Sequence, residues 1–256
     1  MEILVGELKI IEQSKNRAVF EISPLYAGYG VTLGNSLRRV LLSSMEGAAA
    51  VKVKIDGVPH EFTTVDGVLE DIVDIILNLK KIRFKLSGVD SIKVVLNAKG
   101  EKEVRAGDLK APTGVEVVNP DQIIATITDK KAELNMEIEV DRGIGYLPVE
   151  QRQKDKLSVG EIAIDAIFNP VRKVSFRVEN IRVGERTDFN KLFINIETDG
   201  SITPQEALKR AVAILMEQFR AVGENGTLEI EEKVSDETAE APKKKRGRPK
   251  KVKLVE

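Results

Sequence analysis

The reactive side chains of this sequence are few and poorly placed for catalysis. His60, in Gly57-Val58-Pro59-His60-Glu61, is the one histidine, and cysteine is absent. Thiolate nucleophiles, Cys-ligated zinc and disulfides are therefore excluded, and a lone imidazole lacks the second His or Cys that a ligand set needs. His60 reads as structural, and neither a metal nor a cofactor is expected. Glu70-Asp71, and Glu137 with Glu139, are carboxylate pairs of the kind that acid–base chemistry uses, but Glu137 and Glu139 lie two apart in a strand-like run and point together into solvent. Gly28, Gly30 and Gly34 stand ahead of a helix-like run, where glycines let backbone N–H groups approach a phosphate. Their spacing is GxGxxxG rather than GxGxxG, and the alternating strand that follows is a poor match to a βαβ unit, which favours turn geometry and close packing over a nucleotide.

The elements that position these residues follow from periodicity. A first helix is expected from Thr32 through Met45, with Leu33, Leu37, Val40 and Leu41 on one stripe. At about 100° per residue, Arg39 and Leu42 project roughly opposite that stripe and about 60° apart, either as a docking patch or as an ordinary solvated pair. A second helix is expected over residues 68–81, burying Val68, Ile72, Ile75, Ile76 and Leu79, with Glu70 and Asp71 in its first turn and Lys80 and Lys81 complementing its dipole at the end. The third begins with Thr203 as N-cap, Pro204 at the first helical position and Glu206 closing a capping box; Leu208, Ala211, Val212, Leu215 and Phe219 form its apolar stripe. Strand patterns fill the intervals, many alternating apolar and charged residues as in Val51-Lys52-Val53-Lys54-Ile55, which marks sheets with one wet face.

The class is therefore α+β. Residues 48 to about 169 are almost all strand with one helix, so a domain seam is expected near Gly47, with one domain inserted into another. The glycine-bracketed turn Arg142-Gly143-Ile144-Gly145-Tyr146 bends the backbone either for a partner or for local reasons. Hydrophobic residues make up 42% of the 256 and aromatics 4%, so the cores must be aliphatic. The net charge of −1 hides a polarised end: about −6 over residues 223–240 and about +7 over 241–256. Residues 223–256 read as a disordered charged tail. No run approaches about 18 apolar residues and the N-terminus carries no leader pattern, so a cytoplasmic protein is expected, with no membrane partner.

The blocks LGNSLRRVLLSSMEGAAAVKVKIDGVPHEF, EDIVDIILNLK, DRGIGYLP and VENIRVGERTDFNKL resemble the signature segments of bacterial DNA-directed RNA polymerase α subunits, over about residues 1–222. The resemblance implies a discontinuous α/β dimerisation domain from residues 1–46 and 170–222, interrupted by an inserted mostly-β domain at 47–169. It implies a noncatalytic subunit of a nucleotidyltransferase complex, whose active site lies on other subunits. Such a subunit homodimerises and acts as the assembly platform for β and β′ in transcription. Leu33, Leu37, Val40 and Leu41, with Leu208, Leu215 and Phe219, would then serve dimer interface and core together. Arg39 and Leu42 match positions that touch β, the same patch that the helical wheel picks out, and Lys80 and Ile164 match positions associated with β′.

Most members of that family continue into a helical C-terminal domain that binds promoter DNA and activators, and here that domain is expected to be absent. In its place, residues 243–253 carry Arg246-Gly247-Arg248-Pro249 between lysines, which resembles an AT-hook. A glycine between two arginines lets an extended backbone enter a narrow minor groove, and the lysines add salt-dependent phosphate contacts. A DNA partner for this tail, beside the nucleoid-associated polymerase, is one expectation; a solvated terminus is the other. Two rival functions stand next to the scaffold: a nucleotide-dependent enzyme built on the glycine turn, and a DNA-binding protein acting through the basic tail.

Overall fold

The computed structural model describes residues 6–152, 158 and 160–225. Strands β1 (Glu7–Gln13) and β2 (Arg17–Leu25) precede helix α1 (Tyr29–Ser43). Strand β3 (Glu46–Ile55) enters a second region containing α2 (Ile72–Leu79), β4 (Phe84–Leu86), β5 (Ser91–Lys99), β6 (Lys102–Arg105), β7 (Val115–Val117), β8 (Ile123–Ile127) and β9 (Glu133–Ile144). Short strands β10 (Tyr146–Leu147), β11 (Glu161–Ala163) and β12 (Ala166–Ile167) lead back to β13 (Val171–Val183), β14 (Arg186–Thr198) and α3 (Pro204–Asn225).

Two sheets organise two cores. The first, in the order β1-β2-β14-β13, is covered on one face by α1 and α3; Phe20, Leu37, Leu41, Met45, Leu192, Ile194, Ile196, Ala207 and Leu208 fill the space between. The second, in the order β5-β9-β3-β4-β7 with β11 also on β3, packs beneath α2 around Val53, Ile75, Leu79, Leu96, Ile124 and Ile138. The alternation that predicted one-faced strands is visible along β9, where Leu134, Met136, Ile138 and Val140 are buried, while Glu137 is exposed and Glu139 half-buried. Every strand pair in both sheets is antiparallel, so among the described residues there is no βαβ crossover to cradle a dinucleotide.

The helices differ from their expected bounds for physical reasons. Helix α1 starts at Tyr29, not Thr32, because Gly28 takes a left-handed φ of 84° and the two following glycines are packed inside the helix rather than in a turn before it. Helix α2 is shorter than 68–81: Asp71 sits before it and accepts from the Asp74 amide at 2.7 Å as its cap, while Glu70 turns away to bind the Thr126 backbone and hydroxyl. In α3 the Thr203 hydroxyl oxygen accepts from the Glu206 amide at 3.2 Å as expected, but the Glu206 carboxylate pairs with Arg210 rather than closing a capping box. This helix also runs to Asn225, so residues 223–225 of the expected tail are helical. The rest of that tail, with Arg246, Gly247, Arg248 and Pro249, lies outside the described residues.

The chain crosses between the two regions twice, and the crossings touch. An added Cβ at Gly47 would lie 1.9 Å from the Phe168 carbonyl oxygen, and one at Gly143 would lie 2.6 Å from the Phe168 ring. Only glycine allows these approaches. A second tie is ionic: Arg83, next to β4, lies 3.8 Å from Asp199, which follows β14, and their side chains are 8% and 6% exposed.

Candidate partner-docking surfaces

Both glycine amides of the turn are already committed within the fold. Asn190, buried on β14, accepts from the Gly28 amide at 2.8 Å and the Gly30 amide at 3.3 Å, while its own amide nitrogen donates to Asn180 at 3.0 Å. A Cβ on Gly30 would meet Val178 at 2.7 Å, and one on Gly34 would meet the Phe176 ring at 2.5 Å. Gly30 and Gly34 let α1 press against β13. The carboxylate candidates are likewise occupied: Glu137 pairs with Lys93 and Glu139 with Lys52, each at 3.5 Å across neighbouring strands. His60 stands beside the Phe62 ring at 6.5 Å between centroids. Among the described residues no cluster of three His, Asp or Glu side chains is placed to hold a metal, and no helix is long and apolar enough to cross a membrane.

What the molecule presents instead are surfaces. On α1, Arg39 and Leu42 are both exposed, with Leu42 at 38%. Arg39 has no carboxylate partner among the described residues. The end of this helix is held from outside: Asn169 donates from Nδ2 to the carbonyls of Leu41 (3.2 Å) and Leu42 (2.5 Å) and accepts from the Val171 amide. A side chain at the second crossing thus does the work of a C-cap and fixes the Arg39–Leu42 patch relative to both regions.

The residues expected at a dimer interface divide into two sets. Leu37, Leu41 and Leu208 are buried within one copy, and Leu33, Val40 and Leu215 are half-buried against the same core. Phe219 is 68% exposed and falls in a stripe of Val212, Met216, Phe219 and Val222 that nothing among the described residues covers. The same sheet face continues past the helices: Leu8 and Ile10 on β1 pair with Ile22 and Phe20, yet both are exposed.

Lys80 and Ile164 fare differently. Lys80 follows α2 and donates to Asp165 Oδ2 at 3.0 Å, while Asp165 Oδ1 accepts from the Val149 amide at 3.0 Å. The Val149 N–H first, and then the Lys80 ammonium, hold the Asp165 carboxyl below its ordinary range. Ile164 is 1% exposed and belongs to the core beneath α2, whereas Ile167 nearby is exposed. From β11 across the short link into β12 the even-numbered positions are the buried ones, which the local sequence Ile162-Ala163-Ile164-Asp165-Ala166-Ile167 does not decide.

Sequence reasoning also missed the Arg83–Asp199 pair. Burial, and the nearby Arg172, push the Arg83 guanidinium down to about 10 against the opposing pull of Asp199, so it stays charged at neutral pH. Its Nε is buried with no hydrogen-bond partner.

The geometry can now be set beside known proteins. The RNA polymerase Rpb3/RpoA insert domain family matches residues 53–169, the region between the crossings. The DNA-directed RNA polymerase subunit alpha of Roseiflexus castenholzii is 48% identical over 231 residues, which cover 90% of this chain and 71% of that protein. The subunit of the same name from Carboxydothermus hydrogenoformans is 44% identical over 94% of this chain and 80% of its own length, and that from Thermus aquaticus is 51% identical over 81% and 66%.

Proposed function

Since the chain belongs to the family of DNA-directed RNA polymerase α subunits, we propose that it is the noncatalytic assembly platform of that nucleotidyltransferase complex, dimerising through α3 and receiving β and β′ on its remaining surfaces. The observation that carries this reading is the uncovered stripe Val212, Met216, Phe219 and Val222, on a helix whose other face is buried in its own core. A two-fold dimer places the same stripe on both copies, so each exposed side chain can be covered twice over. Full burial of such a side chain contributes roughly 1.5–3 kcal/mol, so the stripes of two copies together supply a driving force to set against the cost of association. A noncatalytic role fits the turn whose amides are already committed to Asn190 and the carboxylates already matched by lysines. The patch of Arg39 and Leu42 receives β, and Lys80, on the other region, faces β′.

Analytical ultracentrifugation and co-expression with β and β′ test this together. Phe219→Asp is expected to yield folded monomers that no longer assemble, whereas Arg39→Ala is expected to remain dimeric and fail to retain β. A wild-type chain that sediments as a monomer and elutes apart from both larger subunits would overturn the proposal.

A further inference from the structure

Four exposed apolar side chains lie on segments that come together at the double crossing: Leu42 (38% exposed), Ile144 (61%), Tyr146 (57%) and Ile167 (38%). They come from three segments held together by backbone groups. Asn169 binds the Leu42 carbonyl; the Phe168 and Asn169 amides both donate to the Gly145 carbonyl, at 2.9 and 3.3 Å; and Tyr146 is the register partner of Ile167. Gly145, at φ 69°, supplies the bend between Ile144, paired with Glu46, and Tyr146, paired with Ile167. Arg39 lies one helical turn back along α1, exposed and without a carboxylate partner among the described residues. Large apolar side chains gathered at one place on the surface, with a cation at the margin, are the composition of a docking centre rather than of scattered surface leucines.

Position separates this patch from the α3 stripe. Helix α3 starts beside the crossing, where Glu206 and Arg210 share a cleft of about 150 Å³ with Glu46, Gly47 and Arg142. At 1.5 Å per residue, Phe219 is then about 20 Å and Val222 about 24 Å further along the helix. A second copy seated on the far end of α3 leaves the patch at the crossing open on both protomers, and the occupant that remains is the chain received by Arg39 and Leu42.

We infer that Ile144, Tyr146 and Ile167 extend the Arg39–Leu42 contact across the crossing, so that β is gripped by both regions of the molecule at once. The inference rests on the proposed role of Arg39 and Leu42. Its partner surface is apolar with a carboxylate opposite Arg39. It also gives the turn Arg142–Tyr146 a purpose that its sequence left undecided.

The test uses the full chain and β. Dissociation constants by biolayer interferometry are compared for wild type, Arg39→Ala, Ile144→Asp and Tyr146→Ala, and hydroxyl-radical footprinting follows side-chain oxidation of Tyr146 and Ile144 in the wild-type protein. At least a tenfold loss of affinity is expected for each variant, and at least a fivefold drop in oxidation on saturation with β. If Arg39→Ala weakens capture while Tyr146 and Ile144 oxidise as before, the extended surface is wrong and the Arg39 contact stands. If β is not captured at all, or Arg39→Ala binds like wild type, the underlying reading fails and takes this one with it.

Discussion

The buried pair Arg83–Asp199 makes the most exacting test of how the two regions are joined. At 3.8 Å, the attraction is about 1 kcal/mol if the pair sits in water but about 4 kcal/mol at an effective dielectric of about 20. Side-chain exposures of 8% and 6% select the larger figure. Asp199→Asn keeps the shape of the side chain and an oxygen for the Ser201 amide and hydroxyl, which bind Oδ1 at 2.9 and 2.6 Å, and removes only the charge. Arg83 is then an uncompensated buried cation, at a cost of about 3–5 kcal/mol. Arg83→Met strands Asp199 at a similar cost. The double variant, with neither charge present, is expected to recover most of the loss, because a buried pair replaced by uncharged groups of like volume is close to neutral. Urea denaturation followed by circular dichroism would give a coupling energy of at least about 2 kcal/mol, and each single variant would melt roughly 6–20 °C below wild type. Additive single losses, or a double variant no more stable than either parent, would refute the claim that these charges hold each other across the crossing.

Two further outcomes follow. Asn190→Ala removes the acceptor for the Gly28 and Gly30 amides, and should cost about 2–4 kcal/mol and raise hydrogen exchange over the first turn of α1 without altering α2. The Asp165 carboxyl is held below its ordinary range, so its contribution is present above the unfolded carboxylate pKa of about 3.9 and is lost as pH falls through the lower folded value. Wild type should therefore exceed Asp165→Asn by about 1 kcal/mol in urea denaturation at pH 7 and at pH 5, with the gap closing below about pH 3.

Much of this architecture was legible because local and global preferences agree. Thr203 and Pro204 announce α3, and the alternation along β9 separates a buried face from a wet one. Where reading failed, tertiary packing had overruled a local signal. Gly28-Tyr29-Gly30 looks like a turn, yet Gly30 and Gly34 are helical because β13 comes too close for any Cβ. Strand β1 went unread because every residue in it is exposed and its register slips between Ile10 and Glu12, which erases the period of two. Arg83 resembles any charge on a half-wet strand, and Asp199 any turn aspartate; only the folded chain brings them together. For the candidate surfaces, the wheel found Arg39 and Leu42 because helical geometry alone puts them outside. Ile164 and Ile167 needed knowledge of which side of the β11–β12 segment met the core.

The contact of Gly47 with Phe168 has a mechanical meaning. A module hung from one strand can swivel; one whose entering and leaving strands abut, with a salt link elsewhere along the joint, has little slack to turn in. Load applied to either half is passed directly to the other, so a polymerase that contains this piece gains a stiff bracket rather than two beads on a string.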